Sequence, residues 1–151
     1  MKTIGIRAAP SAVTFAVIDT NDNSVVNVEK IKIPAAFATP DALKYIRSSL
    51  LDILREYDVE QAGVRVTESQ ADSPSVERSQ IEGVIQEAFA SSNLKAYYVG
   101  QIASISARAG FDRARFKPMV AGEDNPGVEN WGKMTKEARE AILCAMGARN
   151  A

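Results

Sequence analysis

The side chains in this sequence whose types and spacing could do chemistry are carboxylates, arginines and lysines. Its 151 residues include no histidine and one cysteine, Cys144. Without an imidazole, Ser-His and Cys-His nucleophilic pairs are excluded within the chain, as are the usual zinc sites. Few of the remaining charged groups have a suggestive placement. Arg7 closes the first apolar run, on the strand face it shares with Gly5. From there it can bind a phosphate or pair with acidic neighbours. The plain alternative is a solvated arginine at a strand end. Glu68 stands at the end of a later apolar run, Val64-Arg65-Val66-Thr67. Glu137 and Glu140 lie one turn apart on one face of the last helix. Acidic residues in a first helical turn also complement the helix dipole where there is no site at all.

A second group is basic. The segment from Arg108 to Lys117 carries Arg108, Arg113, Arg115 and Lys117 around Phe111 and Phe116. Basic groups interleaved with aromatics can follow a phosphate backbone and stack on bases. The competing reading is a solvated basic loop with its phenylalanines in the core. Trp131 sits beside Gly132 in a polar stretch, either as an anchor for a partner or as a lid on the core. Cys144 lies in the apolar part of the last helix and reads as a small buried hydrophobe. No Gly-rich phosphate loop follows Gly5, so a nucleotide-kinase or actin-like ATPase reading has little support.

The positioning elements follow from pattern. At 46% hydrophobic residues the chain can fill one core, and its length suits a single domain over 1–151. A formal net charge of -1 provides no global field for nucleic acid, so any such binding needs a local patch. One cysteine precludes an intrachain disulfide and fits a reducing cytoplasm. No apolar run approaches the roughly 20 residues of a membrane span, and the first residues lack the pattern of a signal peptide.

Residues 3–8 and 12–19 read as strands, the second apolar on both faces and therefore central. Thr20-Asn21-Asp22-Asn23 is a turn. Residues 24–33 alternate like an edge strand, with a slip near Glu29-Lys30 that suggests a bulge. Thr39-Pro40-Asp41 starts a helix with Thr39 as cap, and Leu43, Ile46, Leu50 and Leu54 give its buried stripe. Residues 61–67 form a fourth strand. Ser73-Pro74 starts a second helix, and residues 95–99 form a fifth strand. Residues 101–109 read as a short helix ended by Gly110. Residues 111–132 show no clear period and read as a long surface loop. A last helix starts with Thr135 as its cap and buries Ala138, Ile142, Ala145 and Met146.

This order is three strands, then helix, strand, helix, strand, helix, loop and helix. It describes an α/β domain with a mixed five-stranded sheet, an antiparallel three-strand meander plus parallel strands, flanked by helices. It resembles the ribonuclease H-like superfamily, and within it the RuvC-type Holliday-junction resolvases. Thr3-Ile4-Gly5-Ile6-Arg7 resembles a first strand that normally ends Gly-Ile-Asp. Val64-Arg65-Val66-Thr67-Glu68 resembles the strand ending in a catalytic glutamate. Thr135-Lys136-Glu137-Ala138-Arg139-Glu140-Ala141-Ile142 resembles the last helix, which supplies the remaining carboxylates.

The resemblance implies metal-assisted phosphodiester hydrolysis, with carboxylates holding two Mg²⁺ ions about 3.5–4 Å apart. Glu68, Glu137 and Glu140 match the catalytic and metal-binding positions. Arg7 stands where the first-strand aspartate belongs. A guanidinium stays protonated and has no acceptor, so it cannot ligate a cation. The expectation is therefore a non-catalytic domain needing no cofactor, with Arg7 paired to Glu68, Glu137 or Glu140. It would act as a nucleic-acid-binding or protein-interaction module. One alternative is a Mg²⁺-dependent endonuclease using Glu68, Glu137 and Glu140 with a replacement ligand such as Asp72. Another is a structural homodimer that extends its sheet through the edge strand at residues 25–33.

Overall fold

The computed structural model describes all residues, Met1–Ala151. The chain runs β1 (Lys2–Ala9), β2 (Ala12–Asp19), β3 (Ser24–Lys32), α1 (Thr39–Glu56), β4 (Val59–Arg65), α2 (Val76–Ala90), β5 (Ala96–Gly100), α3 (Ile102–Ala109), α4 (Phe116–Val120) and α5 (Lys136–Gly147). The five strands form one sheet in the order β3-β2-β1-β4-β5. β1, β2 and β3 pair antiparallel, and β4 and β5 join parallel to β1. This is the mixed sheet expected from the order of elements, with β3 on the edge.

Alternation along β1 and β2 sorts side chains between two cores. Ile4, Ile6 and Ala8 meet Val13, Phe15 and Val17 beneath α1 and α2, with Ile46, Leu50, Ile81, Ile85 and Phe89. The opposite face, with Ala16 and Ile18, packs against α3, α4 and α5 through Ile105, Phe116, Met119, Trp131 and Ile142. A fully buried side chain of this size contributes roughly 1.5–3 kcal/mol. Both faces of the central strands are therefore committed, and a register slip in β1 would exchange them.

The packing of α5 on β1 is unusually close, and it is written in Thr3, Gly5 and Arg7. Thr3 Oγ1 donates to the carbonyl of Ala145 at 2.8 Å. A Cβ on Gly5 would lie 2.0 Å from the carbonyl oxygen of Ala141 and 2.3 Å from the amide of Ala145. Only glycine lets the helix sit there. One strand step further, Arg7 reaches Glu140 on the preceding turn of α5. The period of two on the strand thus meets the helical spacing Glu140, Ala141, Ala145.

Local details depart from the sequence expectations in four places. The bulge lies where β2 and β3 shift register between Val17 and Ile18, facing Val26, and not at Glu29-Lys30. Thr39 is the first residue of α1, whose cap position is Ala38 with no side-chain bond. Ser75, and not Ser73, caps α2, its hydroxyl accepting from the Arg78 amide. Residues 111–132 are not a shapeless loop: short 3-10 turns at Arg113–Arg115 and Trp131–Lys133 flank α4 and the turns after it. The stretch is held by side chains that a periodicity reading does not see. Trp131 Nε1 donates to the Met119 carbonyl at 2.9 Å, and Asn125 Oδ1 accepts from the Gly127 and Val128 amides at 2.8 Å. No helix is long and apolar enough to cross a membrane.

Candidate functional site

The ends of β1 and β4, the segment after β4, and the start of α5 converge at one corner of the sheet. Arg7 and Arg65 are direct partners in the parallel β1–β4 register. Each follows a glycine two residues earlier: Gly5 admits the α5 backbone, and Gly63 makes room for the Tyr98 ring and the Cys144 thiol. Two guanidinium groups side by side on a half-covered face repel unless a carboxylate lies between them. Glu140 supplies it. Arg7 Nε donates to Glu140 Oε2 at 2.8 Å, and Arg65 Nε lies 3.5 Å from the same oxygen. The pair is largely enclosed, the Arg7 and Glu140 side chains being 18% and 12% exposed.

Arg65 also turns towards the segment after β4. Its Nη1 donates to Glu68 Oε2 at 2.7 Å and to the Val66 carbonyl. The same Glu68 oxygen accepts from the Ile102 amide at 3.0 Å, at the first turn of α3. Glu68 therefore ties β4 to α3 and satisfies a free helix amide. The ring of Phe116 lies beneath the Arg65 guanidinium, 5.5 Å from its centroid.

A third ion pair completes the cluster. Glu82, buried on α2, accepts from the Thr67 amide and from Arg78 Nε, both at 2.9 Å. Burial pulls the Arg78 guanidinium below its ordinary value, and the charge of Arg7 adds to this against the opposing pull of Glu82 and Glu140. Arg7, Arg65 and Arg78 thus form one electrostatic group, Arg7 and Arg65 held by carboxylates outside their strands and Arg78 by Glu82 of its own helix.

Of the residues picked from sequence, Arg7, Glu68 and Glu140 belong to this cluster. Glu137 is half-buried in the first turn of α5 and takes no part in its ion pairs, which leaves the dipole role. Asp72 is exposed in the segment between β4 and α2. Arg65, Arg78, Glu82 and Thr67 are the members that sequence reasoning missed. The signals were present: Arg65 occupies the position in β4 that matches Arg7 in β1, and Arg78 and Glu82 are spaced as an i,i+4 pair.

The basic segment divides. Arg113 and Lys117 line an open cleft of about 970 Å³ in front of the cluster, with Arg65, Thr67, Glu68 and Arg78. Arg108 and Arg115 face a different cleft of about 390 Å³, beside Asp22 and Arg149. There Arg115 Nε donates to Asp124 at 2.7 Å, and this bond holds the Asp124 carboxyl below its usual range. Arg108 stacks over Tyr98, 4.6 Å from the ring centroid. The segment is therefore not one continuous phosphate track. Phe116 is in the core, and Trp131, 2% exposed, is a lid on it and not a surface anchor.

A pair of Mg²⁺ ions needs several hard oxygen donors free to converge. The donors here do not fit. No three acidic or sulfur side chains form a group that could hold a metal ion. Glu140 and Glu68 accept from guanidinium groups, and Arg7 puts a fixed positive charge among them.

No family model matches the chain, and no curated relative matches it. Solved structures do. The structure of Thermus thermophilus RuvC aligns over 97% of this chain and 92% of its own, with a TM-score of 0.74 at 13% identity. The T. thermophilus RuvC in complex with its Holliday junction substrate aligns over 97% and 91%, with a TM-score of 0.72 at 14% identity. Likeness at that identity is likeness of fold: the chain has the RuvC-like ribonuclease H fold.

Proposed function

We propose that this chain is a nucleic-acid-binding domain that does not cleave phosphodiesters by metal-ion catalysis. The observation that carries this reading is the bond from Arg7 Nε to Glu140 Oε2 at 2.8 Å. Two-metal hydrolysis requires carboxylates that draw cations together, whereas this arrangement spends its carboxylates on holding arginines. The fold supports the binding half of the proposal: one of its structural neighbours is a resolvase in complex with a Holliday junction. The endonuclease alternative would require Arg7 to leave Glu140 and the exposed Asp72 to travel to the cluster.

Calorimetric titration with Mg²⁺ and Mn²⁺, on wild type and Arg7→Asp in parallel, tests the closed site. Gel retardation of branched, duplex and single-stranded DNA, in EDTA and in Mg²⁺, tests binding. The expected result is no saturable metal binding by wild type, a retarded complex in EDTA, and intact DNA in Mg²⁺. Metal-dependent cleavage by wild type would overturn the non-catalytic half. Failure to retain any of the nucleic acids would overturn the binding half.

A further inference from the structure

We infer that the cleft in front of the arginine cluster is a phosphate seat. In it, Arg65 and Arg78 on the floor and Arg113 and Lys117 on the rim hold a phosphoryl group directly, with no bridging metal ion. The inference rests on the nucleic-acid reading above and specifies where and how that contact is made.

Three observations carry it. First, charge is unbalanced at this corner. Arg7, Arg65, Arg78, Arg113 and Lys117 stand against Glu68, Glu82 and Glu140, although the whole chain has a net charge of -1. The rim cations Arg113 and Lys117 are exposed and form no ion pair, unlike Arg115 nearby. Second, the floor guanidiniums have donors to spare. Arg78 gives Nε to Glu82, and neither of its Nη nitrogens has a protein acceptor, Nη2 being buried and Nη1 not. Arg65, 7% exposed, gives Nη1 to Glu68 and Val66 and turns Nε towards Glu140, which leaves Nη2 with no protein acceptor. A guanidinium carries five N–H donors in a planar fork, which suits phosphate oxygens. Third, those guanidiniums are held rigidly. Phe116 lies under Arg65, and Glu82, itself fixed by Thr67, orients Arg78. Ordering costs are thus largely met before a ligand arrives.

The geometry also says what the seat would take. The cleft of about 970 Å³ is open and polar, with room for a sugar and base beside the phosphate. The phosphoryl group can belong to an internal phosphodiester or to a strand end. A 5′-phosphorylated single strand, the same strand without its phosphate, and inorganic phosphate as competitor distinguish the two sources.

The test measures binding of these strands by fluorescence anisotropy in EDTA across a salt series. The proteins are wild type, Arg78→Gln, Arg113→Ala with Lys117→Ala, and Arg115→Ala as a control outside the cleft. Arg113 and Lys117 are exposed, so the double variant folds even if Arg78→Gln does not. On a single strand each neutralised phosphate contributes about 0.7 to the slope of log affinity against log salt. The double variant, losing the rim of one seat, should therefore lose up to about 0.7 of slope together with affinity, and Arg115→Ala neither. Equal affinity for both strands assigns an internal phosphodiester. Preference for the phosphorylated strand, with competition by inorganic phosphate, assigns a strand end.

Tight binding by wild type that is unchanged in both cleft variants would overturn the seat while leaving nucleic-acid binding intact. Binding that appears only with Mg²⁺ would overturn it as well. If wild type binds no strand but inorganic phosphate protects it from thermal unfolding, and the double variant loses that protection, the seat stands and the nucleic-acid reading falls.

Discussion

Neutralising Glu140 separates an arginine-held site from a metal site by the sign of its effect on stability. In a cluster of carboxylates built to hold cations, the metal-free protein carries repelling negative charges, and Glu→Gln relieves them. Here Glu140 separates Arg7 from Arg65, with contacts of 2.8 and 3.5 Å. At an effective dielectric of about 20, each contact is worth roughly 5 kcal/mol before desolvation is subtracted. Breaking a buried pair by removing one partner costs about 3–5 kcal/mol. Exposure of 18% and 12% on the two side chains admits only modest solvent screening, so Glu140→Gln should cost about 2–4 kcal/mol. Glutamine keeps the shape and an acceptor for Arg7 Nε, so the loss measures charge and not a cavity. For a chain of 151 residues each kcal/mol moves Tm by about 2–4 °C. The assay is thermal unfolding in EDTA at pH 7. A fall of about 5–15 °C is expected. A Tm equal to or above wild type would refute the reasoning, since it would mean that Glu140 feels net negative surroundings.

Two further outcomes follow from the packing around the same helix. Gly5→Ala puts a Cβ 2.0 Å from the Ala141 carbonyl, so α5 must move off β1. Overpacking of this kind costs about 1–3 kcal/mol or more, and a soluble variant with wild-type Tm would contradict the described contact. Burial raises the Cys144 thiol from 9.0 to about 11, against the smaller opposing effect of its bond from Tyr98. A pKa raised by folding contributes stability that is full below the unfolded value and lost as pH climbs towards the folded one. Unfolding free energy should therefore drop between about pH 9 and 11. Cys144→Ala should flatten part of that slope, with the remainder belonging to Tyr98, whose hydroxyl burial also pushes upward. Folded protein should resist thiol alkylation at pH 8, and rapid modification would show that Cys144 is accessible.

What the sequence made legible was periodic or positional. The order of strands and helices, the edge placement of β3, and the Thr135 cap, whose Oγ1 accepts from the Ala138 amide at 3.1 Å, were all readable from local pattern. Arg7 was readable because alternation places it on the face of Gly5. The partner it would choose was not, since Glu68, Glu137 and Glu140 were equally near in that reading. The choice of Glu140 depends on where α5 sits along β1, and the Gly5–Ala141 contact sets that. Arg65 was hidden because an arginine inside an apolar strand reads as a boundary, and its burial needs Glu140 and Phe116 from distant segments besides the nearby Glu68. Residues 111–132 were misread for the complementary reason. Their order comes from Trp131 and Asn125 bonding to backbone groups, which leaves no trace in periodicity.

A guanidinium and a bound Mg²⁺ both place positive charge where strand ends converge, yet they differ in what that charge can do. A metal ion lowers the pKa of bound water and produces a nucleophile near neutral pH. A guanidinium binds no water as a Lewis acid and keeps its own proton above pH 12. It can neutralise and orient a phosphate through paired N–H donors, but it generates no hydroxide. Replacing Arg7 alone would not create a metal site. Arg65 and Arg78 would still occupy the same corner, and Glu68 would remain engaged with Arg65 and the α3 amide. Arg7→Asp should therefore gain at most weak metal binding, and cleavage should require Arg65 and Arg78 to be replaced as well. Metal-dependent cleavage by Arg7→Asp alone would show that the single arginine, and not the cluster, is what closes the site.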